Sequence, residues 1–267
     1  MASEQKEAIQ KATARLRLNA FAQYEKLINP QHSFEDNLCR LLEEQVRLAD
    51  VQRLKYRIRY AGFPQIKTFD TFVMSPEYLP NINFDELREL ETCTFIDEKY
   101  DVVAIGPEGR GKTHVALAIG YEAVKRGYSV KFKRASNLVN ELLESKNEKR
   151  LSEYIRNLNR CQCLIIDELG YLNYEPATSS LLFQIIGDRY EKASTFYTTN
   201  LDFSCWDKFV GDKNMASAIV GRIAHRAIIL NMNGTKGWRL EHARSKKQSR
   251  VDRIQRDDDG GDPEKIR

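Results

Sequence analysis

The chain has 267 residues, 42% apolar and 30% charged, with 12 Tyr, 12 Phe and 2 Trp. That is enough for one large or two smaller cores and excludes disorder throughout. No apolar run approaches the roughly 20 residues of a membrane helix, and MASEQKEAIQKATARLRL at the N-terminus has no apolar signal-peptide core. The net charge of +4, from 42 Lys and Arg against 38 Asp and Glu, makes the placement of charge more informative than its sum.

Residues 1–62 read as all helical, with Gly first at position 62 and one proline, Pro30. Two helices are expected, over about 4–28 and 34–61, interrupted at Asn29-Pro30. Ser33 followed by Asp36 resembles a capping box for the second helix. Leu38, Leu41, Leu42, Gln45 and Val46 fall on one face. From Arg47 to Arg59 five basic residues stand against Asp50 alone. Two readings stand there: a solvated face, or a patch for nucleic acid or an acidic partner. Residues 63–100, with Pro64, Pro76 and Pro80, read as a linker followed by a helix near 83–98.

From 101 to 240 apolar runs alternate with helical patterns, the signature of a parallel sheet covered by helices on both faces. The strands expected are Val102–Ile105, Ser129–Lys133, Cys163–Asp167, Thr195–Thr199 and Ala227–Asn231. Residues 241–267 are polar and read as a disordered tail. The organisation expected is therefore a helical domain over 1–65, an α/β domain over 66–240 and the tail. Five scattered cysteines (Cys39, Cys93, Cys161, Cys163, Cys205) form no disulfide framework, which fits a reducing, bacterial cytoplasmic setting. Cys161 and Cys163 have no second pair at zinc-ligand spacing and read as core.

The sharpest motif is Gly106-Pro107-Glu108-Gly109-Arg110-Gly111-Lys112-Thr113, which satisfies G-x-x-x-x-G-K-[ST] between the strand VVAI and a helix that stops at Gly127. Glycines let successive N–H groups converge on phosphate oxygens, and the new helix adds its positive end. Lys112 is placed to reach the β- and γ-phosphates and Thr113 to offer Mg²⁺ a hydroxyl, with His114 inside the first helical turn. About 55 residues on, the run Cys163–Asp167 ends in Asp167-Glu168. Behind a phosphate loop these two carboxylates suit a Mg²⁺-holding aspartate and a general base for water. Asn200, closing Thr195–Thr199, reads as a turn residue or as an amide that orients that water.

With these elements in this order, residues 15–245 resemble the AAA+ ATPases, and within them the IstB/DnaC group, whose IstB-like members serve istAB-type insertion sequences. The resemblance is carried by GPEGRGKTH, LIIDELGY (164–171), TTNLDFSCW (198–206), SAIVGRIAHRA (217–227) and GWRL (237–240). It implies an AAA+ P-loop fold, with a five-stranded parallel sheet between helices behind a small helical N-terminal domain. It makes Asn200 the sensor-one residue, Arg222 the arginine finger and Arg239 the sensor-two arginine. The chain departs from the family pattern at Glu108 and Arg110 in the loop. It departs again at Gly221, where an acidic residue is usual, so Arg226 competes with Arg222 for the finger role.

A finger acting on a neighbour's nucleotide requires a head-to-tail homo-oligomer, a ring or a helical filament. Residues 131–160 carry a second basic cluster, including Lys133, Arg134, Lys146, Lys149, Arg150, Arg156 and Arg160, on two helices expected near 135–145 and 149–159. In initiator-type relatives a helical insertion occupies this place. The reading is a sequence-blind duplex DNA contact or, alternatively, a solvated helical face. Together the sequence points to an ATP- and Mg²⁺-dependent hydrolase that assembles on DNA and recruits a transposase through residues 1–65. The alternatives are a helicase loader of DnaC type, a small-molecule P-loop kinase, and an ATP-dependent clamp with little turnover.

Overall fold

The computed structural model describes residues 2–171 and 176–234. Arg239, the GWRL run and the tail at 241–267 lie outside the described residues. The chain divides into two compact units, Met1–Tyr60 and Ala61–Arg267, a division five residues before the one read from sequence.

In the first unit, α1 spans Ala2–Leu16 and α2 Tyr24–Leu27, separated by a 3₁₀ turn at Phe21–Gln23, and α3 spans Phe34–Ala61. The single helix expected over 4–28 is therefore broken. Arg17 takes a left-handed conformation (φ 57°), and the Leu18 N–H donates back to the Thr13 carbonyl at 2.8 Å. This is the Schellman pattern without its usual glycine, so composition gives no stop signal. Gln45 on α3 explains its place on an otherwise apolar face. Its amide oxygen accepts from Ala20 N (3.0 Å) and its amide nitrogen donates to the Arg17 carbonyl (3.4 Å), meeting backbone groups freed by the break. The start of α3 follows the sequence reading: the Asp36 N–H donates to Ser33 Oγ at 3.1 Å. Asn37 fixes the Asn29–Ser33 turn by accepting from Asn29 N at 2.7 Å and donating to the Asn29 and Ser33 carbonyls.

In the second unit, residues 65–82 form an irregular segment with a 3₁₀ turn at Phe69–Thr71. The helix expected near 83–98 is two short ones, α4 (Phe84–Glu89) and α5 (Thr94–Asp97), around a 3₁₀ turn and a left-handed Cys93 (φ 61°). Thr92 provides the break, since its hydroxyl donates to the Glu89 carbonyl (2.7 Å) and accepts from Thr94 N (3.4 Å). The break turns Phe95 and Ile96 inward beside Leu87 and Leu90.

The rest is the α/β unit foreseen. Strands β1 (Asp101–Ile105), β2 (Val130–Arg134), β3 (Cys163–Leu169), β4 (Ser194–Thr199) and β5 (Ala227–Asn231) pair in parallel in the order β2-β3-β4-β1-β5. They are joined through α6 (Lys112–Lys125), α7 (Ala135–Asn147), α8 (Leu151–Asn159), α9 (Pro176–Arg189), α10 (Asp207–Val210) and α11 (Lys213–His225). Buried on both faces, β3 and β4 read as continuous apolar or small runs. Leu138, Leu142 and Leu158 seal one side with Trp206 and Ile223. Cys161 and Cys163 lie in this interior, as read. Because β4 lies between β1 and β3, the ends of all three converge where the chain leaves β1.

Candidate active site

The phosphate-loop motif follows β1 and opens α6. Gly109 and Gly111 hold φ of 77° and 87°, which side chains resist. A Cβ on Gly111 would also strike the Phe72 ring at 2.6 Å. Lys112 is buried, and its ammonium donates to the carbonyls of Gly106 (2.6 Å) and Pro107 (2.8 Å), inside the curl of the loop. Glu108 is exposed, at the rim of the cavity that opens over the loop. Arg110 is buried and anchors the loop laterally, donating to the carbonyls of Tyr78 (3.1 Å) and Gly234.

The end of β3 is a bulge. Ile166 pairs with Tyr197 and Leu169 with Thr199, so Asp167 and Glu168 both face Thr198. A bulge of this kind re-aims side chains at a strand end. Glu168 takes a left-handed φ of 62°, a conformation that costs a glutamate about 1–3 kcal/mol and persists where surrounding contacts enforce it. One such contact is its N–H, which donates to Thr198 Oγ1 at 2.9 Å.

Asp167 is fully buried. Its Oδ1 accepts from Thr113 Oγ1 (2.9 Å) and Thr198 Oγ1 (2.6 Å). Its Oδ2 is buried with no hydrogen-bond partner among the described residues. A buried carboxylate oxygen left open beside a threonine hydroxyl is the donor set of a hard divalent cation, so these residues fit Mg²⁺. Glu168 is half-exposed and its carboxylate lies 3.9 Å from the Arg134 guanidinium.

A cavity of about 480 Å³ opens over this arrangement. Its walls include Glu108–His114, Glu168 and Thr198, and also Gln65, Lys67, Phe72, Val73, Tyr78 and Leu79 from the segment read as a linker. His114 holds that segment: its Nε2 lies 3.0 Å from the Thr68 carbonyl and 3.3 Å from Thr71 Oγ1, and its ring lies 5.2 Å from that of Phe72. Burial lowers the His114 pKa below its ordinary 6.5, against the Thr68 contact, which raises it. Sequence reasoning missed two contributors. Thr198 reads as an ordinary β-branched strand residue, and the 65–79 wall is irregular chain joined to the loop only by long-range contacts.

The IstB-like ATP binding protein family profile matches residues 12–247. The chain belongs to this family. It is 37% identical over 236 residues (88% of the chain, 92% of the relative) to an insertion sequence IS5376 putative ATP-binding protein of Geobacillus stearothermophilus. To an insertion sequence IS21 putative ATP-binding protein of Pseudomonas aeruginosa it is 33% identical, over 82% of each chain. Among solved structures DnaI matches with a TM-score of 0.53 at 20% identity, over 62% of this chain and 90% of that one. DnaA bound to AMPPCP and single-stranded DNA matches at 0.51 and 21%, over 61% and 49%. These structures share the AAA+ fold expected from the sequence.

Among the described residues of this IstB-like chain, Asn200, Arg222 and Arg226 do not line the cavity. Asn200 is exposed, one residue beyond β4. Arg222 lies on α11, its guanidinium 4.4 Å over the Phe183 ring of α9. Arg226, its competitor, donates to the Glu98 carbonyl (2.8 Å) and lies 4.7 Å over the Tyr100 ring. Asp101 N donates to the Arg226 carbonyl, so Arg226 sits level with the start of β1, whereas the phosphate loop follows its end. Of the basic cluster, Lys133 pairs with Glu141 (Oε1 at 2.7 Å), Arg134 approaches Glu168, and Arg150 pairs with Glu148. Lys146, Lys149, Arg156 and Arg160 are exposed, with no ion pair among the described residues. Among the described residues no helix is long and apolar enough to cross a membrane.

Proposed function

We propose that this IstB-like chain hydrolyses ATP with Mg²⁺, assembles head-to-tail on duplex DNA without sequence preference, and delivers a transposase to that DNA. The observation that carries the reading is the buried Asp167 carboxylate, one oxygen gathered by Thr113 and Thr198 and the other open. Thr113 and Asp167 would hold Mg²⁺ in this scheme. When bound, the ion neutralises charge on the β- and γ-phosphates. The loop N–H groups and Lys112 hold the phosphates. Glu168 accepts the proton of the attacking water, which Asn200 orients, and Arg239 serves as the sensor-two arginine. Arg222 of a neighbouring subunit stabilises the charge developing on the γ-phosphoryl group. Lys146, Lys149, Arg156 and Arg160 meet DNA phosphates, and residues 1–65 meet the transposase.

The relatives, named for insertion sequences, support a transposase partner over a helicase. The test is DNA-stimulated ATP hydrolysis by the full chain, with and without Arg222→Ala. Nucleotide affinity is expected to hold while turnover collapses; unchanged turnover refutes the shared site. Capture of a replicative helicase in place of the transposase by the full chain would replace the reading with a loader.

A further inference from the structure

We infer that Phe183, Gly187 and Tyr190 form a seat on α9 that sets the direction of the Arg222 guanidinium, making Phe183 and Gly187 positioning residues for hydrolysis at a neighbouring subunit's nucleotide. The inference rests on the finger role proposed for Arg222 and adds what aims it.

Positions 183, 187 and 190 are spaced i, i+4, i+7, so they form one stripe along α9 and its last turn. Arg222 and His225, three apart near the end of α11, meet that stripe. The Arg222 guanidinium lies 4.4 Å over the Phe183 ring. A Cβ built on Gly187 would fall 2.6 Å from Arg222 Nη1 and 3.6 Å from its Cζ. One turn further, Tyr190 Oη and His225 Nδ1 lie 2.8 Å apart, tying the same two helices. The side chain is thus held by a ring under its face and a notch that only glycine leaves open.

Arg222 makes no hydrogen bond or ion pair to another described residue. A structural arginine in this chain looks different. Arg189 is buried and spends its donors on Thr195 Oγ1 and the carbonyls of Cys161 and Ser194. An arginine fixed by its π face and its flank, with N–H donors unspent, is prepared for an anion from outside the subunit. Aromatic support restrains a guanidinium without consuming its donors. Fixing it beforehand removes ordering cost at the moment of reaction.

Gly187 supplies a test that folding does not confound, because alanine is the better helix former and the displaced atom is the far end of a flexible side chain. In the full chain with duplex DNA and Mg²⁺-ATP, Gly187→Ala should lower kcat roughly 10–100-fold, the scale of an ångström-sized misplacement. Phe183→Leu should lower it about two- to fivefold, the worth of one cation–π contact. Affinity for a fluorescent ATP analogue should stay at the parent value in both. Gly187→Ala combined with Arg222→Ala should be no slower than Arg222→Ala alone. Mixing Gly187→Ala with Lys112→Ala subunits, which lack a working loop but keep a seated Arg222, should restore turnover at the Gly187→Ala sites.

Unchanged turnover in Arg222→Ala defeats the finger reading, and the seat with it. Loss in Arg222→Ala with Gly187→Ala and Phe183→Leu at parental rates defeats the seat alone. A faster Gly187→Ala also defeats it, because the contact would then hold Arg222 back. Weakened nucleotide binding without rescue on mixing overturns it as damage to the variant's own site.

Discussion

Thr198→Val isolates the hydroxyl that joins the Asp167 carboxylate to the Glu168 backbone. Valine keeps the β-branched shape on β4, so packing is preserved. Two interactions go. One is the 2.6 Å bond donated to Asp167 Oδ1; the other is the 2.9 Å bond accepted from Glu168 N. The first reaches an anionic acceptor, worth about 1.5–3 kcal/mol, and the second leaves a backbone N–H unpaired, costing about 1–3 kcal/mol. Thr198 is 1% exposed and Asp167 0%, so solvent does not replace the lost partners. A loss near 3 kcal/mol follows, or about 6–12 °C in melting temperature for a unit of this size. Glu168 also loses a contact that holds its left-handed backbone, so kcat for ATP should fall more than KM rises. Urea denaturation and steady-state ATP hydrolysis measure the two effects, and Thr198→Ser, which retains the hydroxyl, should recover most of both. A Thr198→Val protein within about 0.5 kcal/mol of the parent, as an uninvolved surface change would be, and with parental kcat would refute the reasoning.

Three other outcomes follow from the same structure. Arg110→Ala strands the Tyr78 and Gly234 carbonyls. It should cost about 2–3 kcal/mol by urea denaturation and weaken nucleotide binding, since Tyr78 lines the cavity. Asp101 accepts from Thr195 N, and burial pushes its carboxyl up to about 7, against that bond and Arg189. A folded value above the ordinary 3.8 means stability is full below pH 3.8 and is lost as pH rises to about 7. Asp101→Asn keeps an acceptor without the charge, so its urea midpoint should gain on the parent from pH 5 to pH 8; an equal difference at both would contradict this. Replacing Lys146 and Lys149 by Gln should reduce the slope of log affinity for duplex DNA against log salt by about 0.9 per lost phosphate contact, and an unchanged slope would remove them from the interface.

The five strands and the phosphate loop were legible because their signals are local. Central parallel strands are continuous apolar runs, and the loop needs its glycines at fixed spacing. What escaped depends on partners distant in sequence. The breaks at Arg17 and Cys93 place non-glycine residues in left-handed backbone. Gln45, 28 residues from Arg17, is what makes the first break tolerable. The segment over 64–80 has the prolines of a linker, yet His114 and Arg110 hold it as a wall of the cavity. Lys133 counted as a surface base in the sequence, whereas a half-buried pairing with Glu141, which also accepts from Tyr154, occupies it. Charge type is visible in a sequence; whether the charge is already spent is not.

The same distinction separates the two candidates for the finger. Arg226 commits one amino group to the Glu98 carbonyl, rests on Tyr100 and buries its Nε. Freeing it would give up both of those contacts. Arg222, one turn earlier, gives up only a ring face. Arg226 marks the edge of the sheet opposite the phosphate loop, with the five residues of β1 between, about 16 Å of strand. Arg222 is on the last turn of the helix leading into that edge. On the proposed reading a subunit therefore cannot bring its own Arg222 to its own γ-phosphate. Only a neighbour stacked with its sheet edge toward this cavity can do so. That contact joins unlike surfaces, so it propagates until it closes into a ring or continues as a helix.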